Sequence, residues 1–96
     1  MSFSHFLVED QRLVLLRLLH EMPGYQSNSS VLVSGLAHYG HSVSRDKIRG
    51  QLAWLEEQGL VTCQVLDTVT VATLTERGAD VATGHARQPG VKRPGA

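Results

Sequence analysis

Three basic side chains, Arg45, Lys47 and Arg49, occur within five residues, and Ser44 directly precedes them. Lys and Arg bind phosphate oxygens, and the forked guanidinium of Arg also matches the O6 and N7 atoms of guanine. A serine followed by the first amides of a helix forms a further site for a phosphate group. The chemistry that this cluster predicts is contact with phosphates or base edges.

The same segment also fits an ordinary solvated helix surface. Asp46 lies among the cations, and Glu57 is expected on the same outward face. Two small residues, Gly50 and Ala53, would allow a partner to come close to that face. Both interpretations stay open. If the face binds DNA, the contact residues are Ser44, Arg45, Asp46, Lys47, Arg49, Gly50 and Ala53.

Other site chemistries have little support in the sequence. His38 and His41 are three residues apart, but the helix before them is expected to end at Gly40, so they should not share a helical face. They are interpreted as two surface histidines. The single cysteine, Cys63, is expected to be a small buried residue of a strand. The sequence has no P-loop, HExxH, cysteine pair or nucleophile elbow. We therefore expect no metal, no cofactor and no enzyme activity.

The charge balance separates the chain into two parts. Its 96 residues carry nine basic and nine acidic side chains, which excludes a histone-like basic coat. Residues 1–84 have a net charge of −3 and are expected to form one domain. Residues 85–96 have a net charge of +3, contributed by Arg87, Lys92 and Arg93, and their composition predicts a flexible tail. This tail is either a mobile arm that contacts DNA or only a solubilising end.

The setting predicted for the chain is the interior of a cell. Apolar runs are at most four residues long, too short for a membrane span. The N-terminus lacks the features of a secretory signal, and one cysteine makes no internal disulfide.

The first helix, expected between Leu7 and Met22, is apolar around nearly its whole circumference. A helix of a small domain normally buries one face. Leu13, Val14 and Leu16 flank the remaining polar stripe and are therefore candidates for a homodimer interface. The alternative is that another helix of the same chain covers them.

Capping signals define the next two helices. A second helix begins after Ser27 or Asn28 and ends near Tyr39, with Tyr39 on the face of Leu32 and Leu36. After a turn over residues 40–43, a third helix occupies residues 44–58. Ser44 is its predicted N-cap, Val43 and Ile48 have the spacing of a hydrophobic staple, and Gly59 is predicted to end it in a Schellman turn.

Beyond Gly59 the apolar pattern changes from helical to alternating. Residues 60–66 and 69–74 predict two antiparallel strands joined by Asp67 and Thr68. Thr75 is placed to cap a short last helix that ends near Thr83. The fold class predicted is mainly helical α+β, with three helices, a two-stranded hairpin and a short closing helix.

The stretch VSRDKIRGQLAWLEEQGLV followed by VTVATLTERGADVA resembles winged helix-turn-helix regulators of the ArsR and MarR type. The chain has that family's two motifs, L-x-x-L-E-x-x-G-L-V and L-T-x-x-G-x-x-x-A. Their matching residues are Leu52, Leu55, Glu56, Gly59, Leu60 and Val61, then Leu74, Thr75, Gly78 and Ala82. The resemblance covers about residues 8–84 and implies that the third helix enters the major groove of double-stranded DNA.

A second resemblance is to the small winged-helix proteins of Mu-like phages and prophages, through EDQRLVLLRLL, MPGYQSNSSVL and PGVKRP. It implies a phage origin and a role in the bacterial cytoplasm. Together the two resemblances predict a dimeric transcriptional regulator. The alternative is a winged-helix module that binds a phage protein during assembly or DNA packaging, without reading DNA.

Two residues bear on that choice. The hairpin tip, Asp67, is acidic, and no basic residue occurs between Arg49 and Arg77, which makes contact between this hairpin and DNA doubtful. Trp54 is expected to be partly covered, either by packing against the hairpin or the first helix, or by a partner.

Overall fold

The computed structural model describes residues 3–95. The elements are α1 (Phe3–Glu21), a 3-10 turn (Pro23–Tyr25), β1 (Gln26–Asn28), α2 (Ser29–His38), α3 (Arg45–Glu57), β2 (Val61–Leu66), β3 (Val69–Leu74) and α4 (Glu76–Thr83). The predicted fold class, mainly helical α+β, is confirmed. No helix in this range is long and apolar enough to cross a membrane.

The two ends of α3 have the capping structures that the sequence predicts. At its start the Ser44 hydroxyl oxygen accepts a hydrogen bond from the Lys47 amide at 3.1 Å. At its end Gly59 adopts a φ of 77°, and the Leu60 amide donates to the Leu55 carbonyl at 3.0 Å. This is the Schellman arrangement, which requires a left-handed residue and so favours glycine. The helix is therefore bounded by local interactions at both ends.

The helix before the turn ends one residue earlier than expected. Asn28 caps α2 by accepting from the Val31 amide at 2.9 Å. Tyr39 is the C-cap residue, and its side chain is exposed rather than buried beside Leu32 and Leu36. Because α2 ends at His38, helical spacing no longer applies at Tyr39, and its side chain does not continue the buried face of the helix.

The hairpin is confirmed, and the sheet contains a strand that the sequence analysis did not predict. Leu66 pairs with Val69 across the two-residue turn, and Asp67 adopts a positive φ of 53°. On the other side of β3, β1 adds a third antiparallel strand in the order β1-β3-β2. The Gln-Ser-Asn sequence of β1 is too short and too polar to give an alternating pattern.

The apolar first helix lies inside the domain. It packs against α2, α4 and β3. These elements surround α1, so its side chains from residue 13 to residue 19 are buried within one chain, apart from Arg17. The prediction that Leu13, Val14 and Leu16 line a subunit interface is therefore wrong, because nothing remains there for a second chain to cover.

A close backbone approach joins the end of α3 to the start of α4. A Cβ atom at Gly78 would lie 2.0 Å from the Leu60 carbonyl oxygen, so only glycine fits. Thr75 completes the junction: its amide donates to Leu60 O at 3.0 Å, and its hydroxyl donates to Gly59 O at 2.8 Å. The hydroxyl also accepts from the Gly78 amide at 3.0 Å, which caps α4.

The C-terminal segment lies against the domain, whereas its composition predicted a freely solvated tail. Val91 is buried, and the Lys92 amide donates to the Glu9 carbonyl at 3.2 Å. Gln88 bonds Gln58 of α3 at 3.2 Å. Composition gave no indication of these contacts, because they are made to residues that are distant in the sequence.

The different surroundings of Gly78 and Gly50 predict that replacing each by Ala has opposite effects on the free energy of unfolding. Gly78→Ala should lower the free energy of unfolding by at least about 2 kcal/mol, because a methyl group there overlaps backbone that cannot move aside. Gly50→Ala, in the exposed middle of α3 with no atom near its added methyl, should raise it by about 0.5–1 kcal/mol. Urea unfolding of both variants measures this. Equal effects would contradict the assigned packing.

Candidate nucleic-acid interface

The predicted contact residues share the outward surface of α3. Burial of Ile48, Leu52 and Leu55 fixes the inward side of the helix. At about 100° per residue, the opposite side must then face solvent. All seven residues proposed from the sequence are exposed: Ser44, Arg45, Asp46, Lys47, Arg49, Gly50 and Ala53. We call this set the α3 face.

The cations of the α3 face are only weakly engaged within the chain. Arg49 Nη2 lies 3.5 Å from Asp46 Oδ1, and the Asp46 side chain is 91% exposed. An exposed pair of this kind contributes little to stability, so Arg49 can exchange partners at small cost. Arg45 and Lys47 take part in none of the ion pairs found within residues 3–95.

One flank of α3 is held against α1 by polar contacts, the most extensive of which are made by Arg12. Arg12 Nε donates to Gln51 Oε1 at 2.8 Å, and its guanidinium lies 3.8 Å from the centre of the Trp54 ring. Its Nη1 donates to the Gly90 carbonyl at 3.0 Å. Trp54 thus packs against the first helix, one of the two arrangements expected for it. These contacts set the rotational orientation of α3 about its own axis.

A second cluster holds the turn before α3. His41 is buried, and its Nε2 donates to Asp10 Oδ2 at 2.7 Å. Lys92 Nζ lies 3.5 Å from the other oxygen of the same carboxylate. The interpretation of His41 as a surface residue is therefore wrong, because α1 supplies a carboxylate that covers it, whereas His38 is exposed.

These neighbours also determine the ionisation of Asp10. Partial burial opposes the charged form, but the hydrogen bond from His41 and the charge of Lys92 outweigh it, so the pKa of Asp10 is lowered from its usual value. The carboxylate is therefore ionised at neutral pH and links α1, the turn and the C-terminal segment.

The C-terminal segment lies along the same flank of α3. Gln88 contacts Gln58 near the C-terminal end of α3, and a Cβ at Gly90 would meet Trp54 at 2.7 Å. Lys92 then reaches the Asp10–His41 pair beside the turn. The segment thus passes from the C-terminal end of α3 toward the turn that precedes it. Its cations are Arg87, Lys92 and Arg93, and all three are exposed.

The hairpin presents a different kind of surface. Val65 is 73% exposed and Leu66 47% exposed, next to the acidic tip at Asp67. On the outer edge of β2, Glu56 Oε2 accepts a hydrogen bond from the Cys63 amide at 2.8 Å. The surface near the tip is therefore apolar and acidic, without a cation between Arg49 and Arg77.

Cys63 has the properties of an inert thiol. Burial, together with the negative charge of Glu56, raises its pKa to about 11, so little reactive thiolate forms near neutral pH. Within residues 3–95, no three His, Cys, Asp or Glu side chains are grouped closely enough to hold a metal ion.

The chain is similar in sequence to a phage protein and to a bacterial protein. No family model matches the chain. The gp26 protein of Escherichia phage Mu, which is uncharacterised, is 54% identical over 91 residues, 95% of this chain and 94% of the phage protein. This chain belongs to the gp26 family of phage Mu. An uncharacterised protein of Haemophilus influenzae Rd is 51% identical over 78 residues, 80% of this chain and 76% of that protein. The predicted resemblance to Mu-type proteins is thereby confirmed.

Solved structures similar to this family member are transcription regulators. The hsRosR-S4 complex matches with a TM-score of 0.63 and 25% identity, covering 74% of this chain and 61% of that one. Sco3205, a MarR family transcriptional regulator from Streptomyces coelicolor in complex with DNA, matches with a TM-score of 0.57 and 19% identity, covering 80% and 57%. The chain thus spans less than two thirds of these regulators.

The structural neighbours bear on the resemblance to regulators of the ArsR and MarR type. The fold is the winged helix of transcription regulators, and MarR proteins are among its structural neighbours. Lactococcus lactis ZitR also matches, with a TM-score of 0.57, 23% identity and coverage of 86% and 58%. The ArsR type in particular is not supported.

The Asp10 cluster predicts a pH-dependent contribution to stability. Because the folded state lowers the pKa of Asp10, its contribution is fully present above the unfolded pKa, near 4, and is lost as the pH falls further. Asp10→Asn should lower the free energy of unfolding near neutral pH by about 1 kcal/mol, a modest figure since the side chain is 33% exposed.

Urea unfolding over a pH series measures this effect. Below pH 4 the wild type and Asp10→Asn should converge. Asp67→Asn, at the exposed hairpin tip, is the matched control and should differ from wild type by less than about 0.5 kcal/mol at every pH. A deficit of Asp10→Asn that stays constant through the acid range would contradict the assigned contacts of the Asp10 carboxylate.

Proposed function

We propose that this protein is a DNA-binding transcriptional regulator of phage or prophage type that acts in the bacterial cytoplasm. The observation that carries the proposal is the α3 face, a set of exposed cations and small residues on a helix capped at both ends and packed on one flank. In winged-helix proteins the helix in this position lies in the major groove. The regulator structures similar to this chain support the same assignment.

The residue types of the α3 face suit different parts of DNA. Arg45 and Arg49 lie on one side of the helix and can bond guanine edges or phosphates, while Lys47 lies on the other side. Gly50 and Ala53 between them leave room for close approach. In the bound state Arg49 exchanges its weak pair with Asp46 for a DNA partner.

The C-terminal segment adds a cation beside the same helix. Lys92 lies next to the turn that precedes α3, 3.5 Å from Asp10. We propose that Lys92 contacts a backbone phosphate next to the groove that α3 occupies. Such contacts are independent of base sequence and strengthen binding at low salt.

Because one chain offers few cations to DNA, we propose that the protein binds DNA as a homodimer. Each phosphate contact contributes about −0.9 to the slope of log affinity against log salt concentration, so one chain with three α3 cations binds weakly. Two chains on a two-fold site double these contacts. The second chain must attach somewhere other than Leu13, Val14 and Leu16, which one chain already buries.

A second candidate function is a protein-binding module of phage assembly or DNA packaging. The observation that favours it is the hairpin, whose exposed Val65 and Leu66 adjoin Asp67 rather than a cation. A hairpin that contacts DNA would be expected to carry Lys or Arg near its tip. Under this alternative the hairpin binds a partner protein and the α3 face stays solvated.

DNA binding by the α3 face predicts a position-specific effect of removing one charge. Arg49→Gln should lower the affinity for a genomic fragment that the wild type selects by about 5- to 100-fold and make the salt slope shallower by about 0.9 if a phosphate contact is lost. Arg17→Gln, at an exposed position of α1, removes the same charge and should change affinity less than 2-fold.

Fluorescence anisotropy across a salt series measures both variants. Equal losses for Arg49→Gln and Arg17→Gln would mean that only net charge matters, and the groove assignment would fail. No retention of wild-type protein on DNA at low salt, with co-purification of one defined phage protein, would select the protein-binding module instead.

A further inference from the structure

The N-terminal end of α1 carries an apolar surface that the chain leaves uncovered. Every residue from 3 to 7 is exposed. Phe3 is 74% exposed, Phe6 56% and Leu7 39%. These three residues have the i, i+3, i+4 spacing of one helical stripe. We call Phe3, Phe6 and Leu7 the α1 patch.

The α1 patch continues the buried side of the same helix. Phe6 and Leu7 precede Leu13 and Val14 by seven residues, which places each pair on the same side of α1, two turns apart. At Leu13 and Val14 the stripe is covered by the rest of the domain. Nearer the N-terminus the helix extends beyond that cover. Helices in proteins gain most of their stability from the packing of their apolar face, so an uncovered apolar end is suited to a partner.

A groove beside the patch has both signs of charge on its walls. The groove, of about 580 Å³, lies between the start of α1 and the C-terminal segment. Phe6 and Glu9 line one side, and Arg87, Pro89 and Arg93 line the other. Lys92, which is paired with Asp10, also lines the groove, so the surface combines an aromatic ring, an acid and three cations.

This arrangement is complementary to itself. A two-fold axis through the surface would bring the same patch of each copy together, with every contact made twice. Glu9 of each copy could then pair with Arg87 and Arg93 of the other, and the phenylalanines of each copy could enter the groove of the other. A fully buried phenylalanine covers about 150–250 Å². Because Phe3 is 74% exposed and Phe6 56% exposed, the four rings of two copies can supply about a third of the roughly 1,200–2,000 Å² of a stable interface.

We propose that a second copy of this chain docks on the α1 patch and its groove. The proposal rests on the homodimer of the proposed function and names its surface. Phe3 and Phe6 supply the apolar contact, and Glu9 with Arg87 and Arg93 sets the orientation. The C-terminal segment thereby serves the dimer as one wall of the groove.

Sedimentation equilibrium without DNA tests this proposal, from low micromolar to near-millimolar protein. The wild type should change from one chain to two with rising concentration. Phe3→Ser with Phe6→Ser should stay monomeric while keeping the wild-type circular dichroism spectrum, since neither side chain is in the core. Val65→Ser, at an equally exposed apolar position on the hairpin, is the control and should dimerise like the wild type.

The charges provide a second test in the same measurement. Glu9→Lys and Arg93→Glu should each weaken dimerisation by about 5-fold or more, and the two changes combined in one chain should restore it. A wild type that is monomeric throughout, or a Phe3→Ser, Phe6→Ser variant that still dimerises, would overturn the proposal. Dimerisation without DNA binding would count against the proposed regulator and leave this interface supported.

Discussion

The approach of α4 to the end of α3 is the constraint on which the arrangement of the domain depends. Gly78 lies where any Cβ would strike the Leu60 carbonyl, and Thr75 bonds the backbone on both sides of that contact. The junction thus positions the residues that follow α3, the start of β2 and the N-cap of α4 relative to one another. With its C-terminal end held in this way, α3 can present a defined face to solvent without cover from another element.

Two further clusters connect that helix to the rest of the chain. Arg12 joins α1 to the middle of α3 through Gln51 and Trp54, and Asp10 joins α1 to the turn through His41. The C-terminal segment contributes to both clusters, through the Gly90 carbonyl and the Lys92 ammonium. A helix fixed at its end, flank and preceding turn can place cations with the precision that a DNA groove requires. The segment that composition presents as a tail thus belongs to the support of α3.

What the sequence could predict follows from how local each interaction is. The caps of α3 at Ser44 and Gly59 depend on neighbours within five residues, so the sequence pattern was sufficient. The strand β1 depends on pairing with β3 some 45 residues away, and its own residues carry no strand signal. The cover over Leu13 and the carboxylate beside His41 likewise come from distant segments. For the α3 face, sequence periodicity predicted which residues are exposed, but the supporting contacts of Arg12 and Asp10 had no sequence signal.

Selection of particular DNA sequences by the α3 face is the property on which the proposed regulator function depends. Its most direct test is selection of bound fragments from a pool of phage and host genomic DNA, carried out in parallel with wild type and with the variant Arg45→Glu, Arg49→Glu. The wild type should enrich fragments that share one short sequence, and the variant, folded to the same extent, should enrich none. Enrichment of the same fragments by both proteins, or of no common sequence by the wild type, would contradict this role of the α3 face.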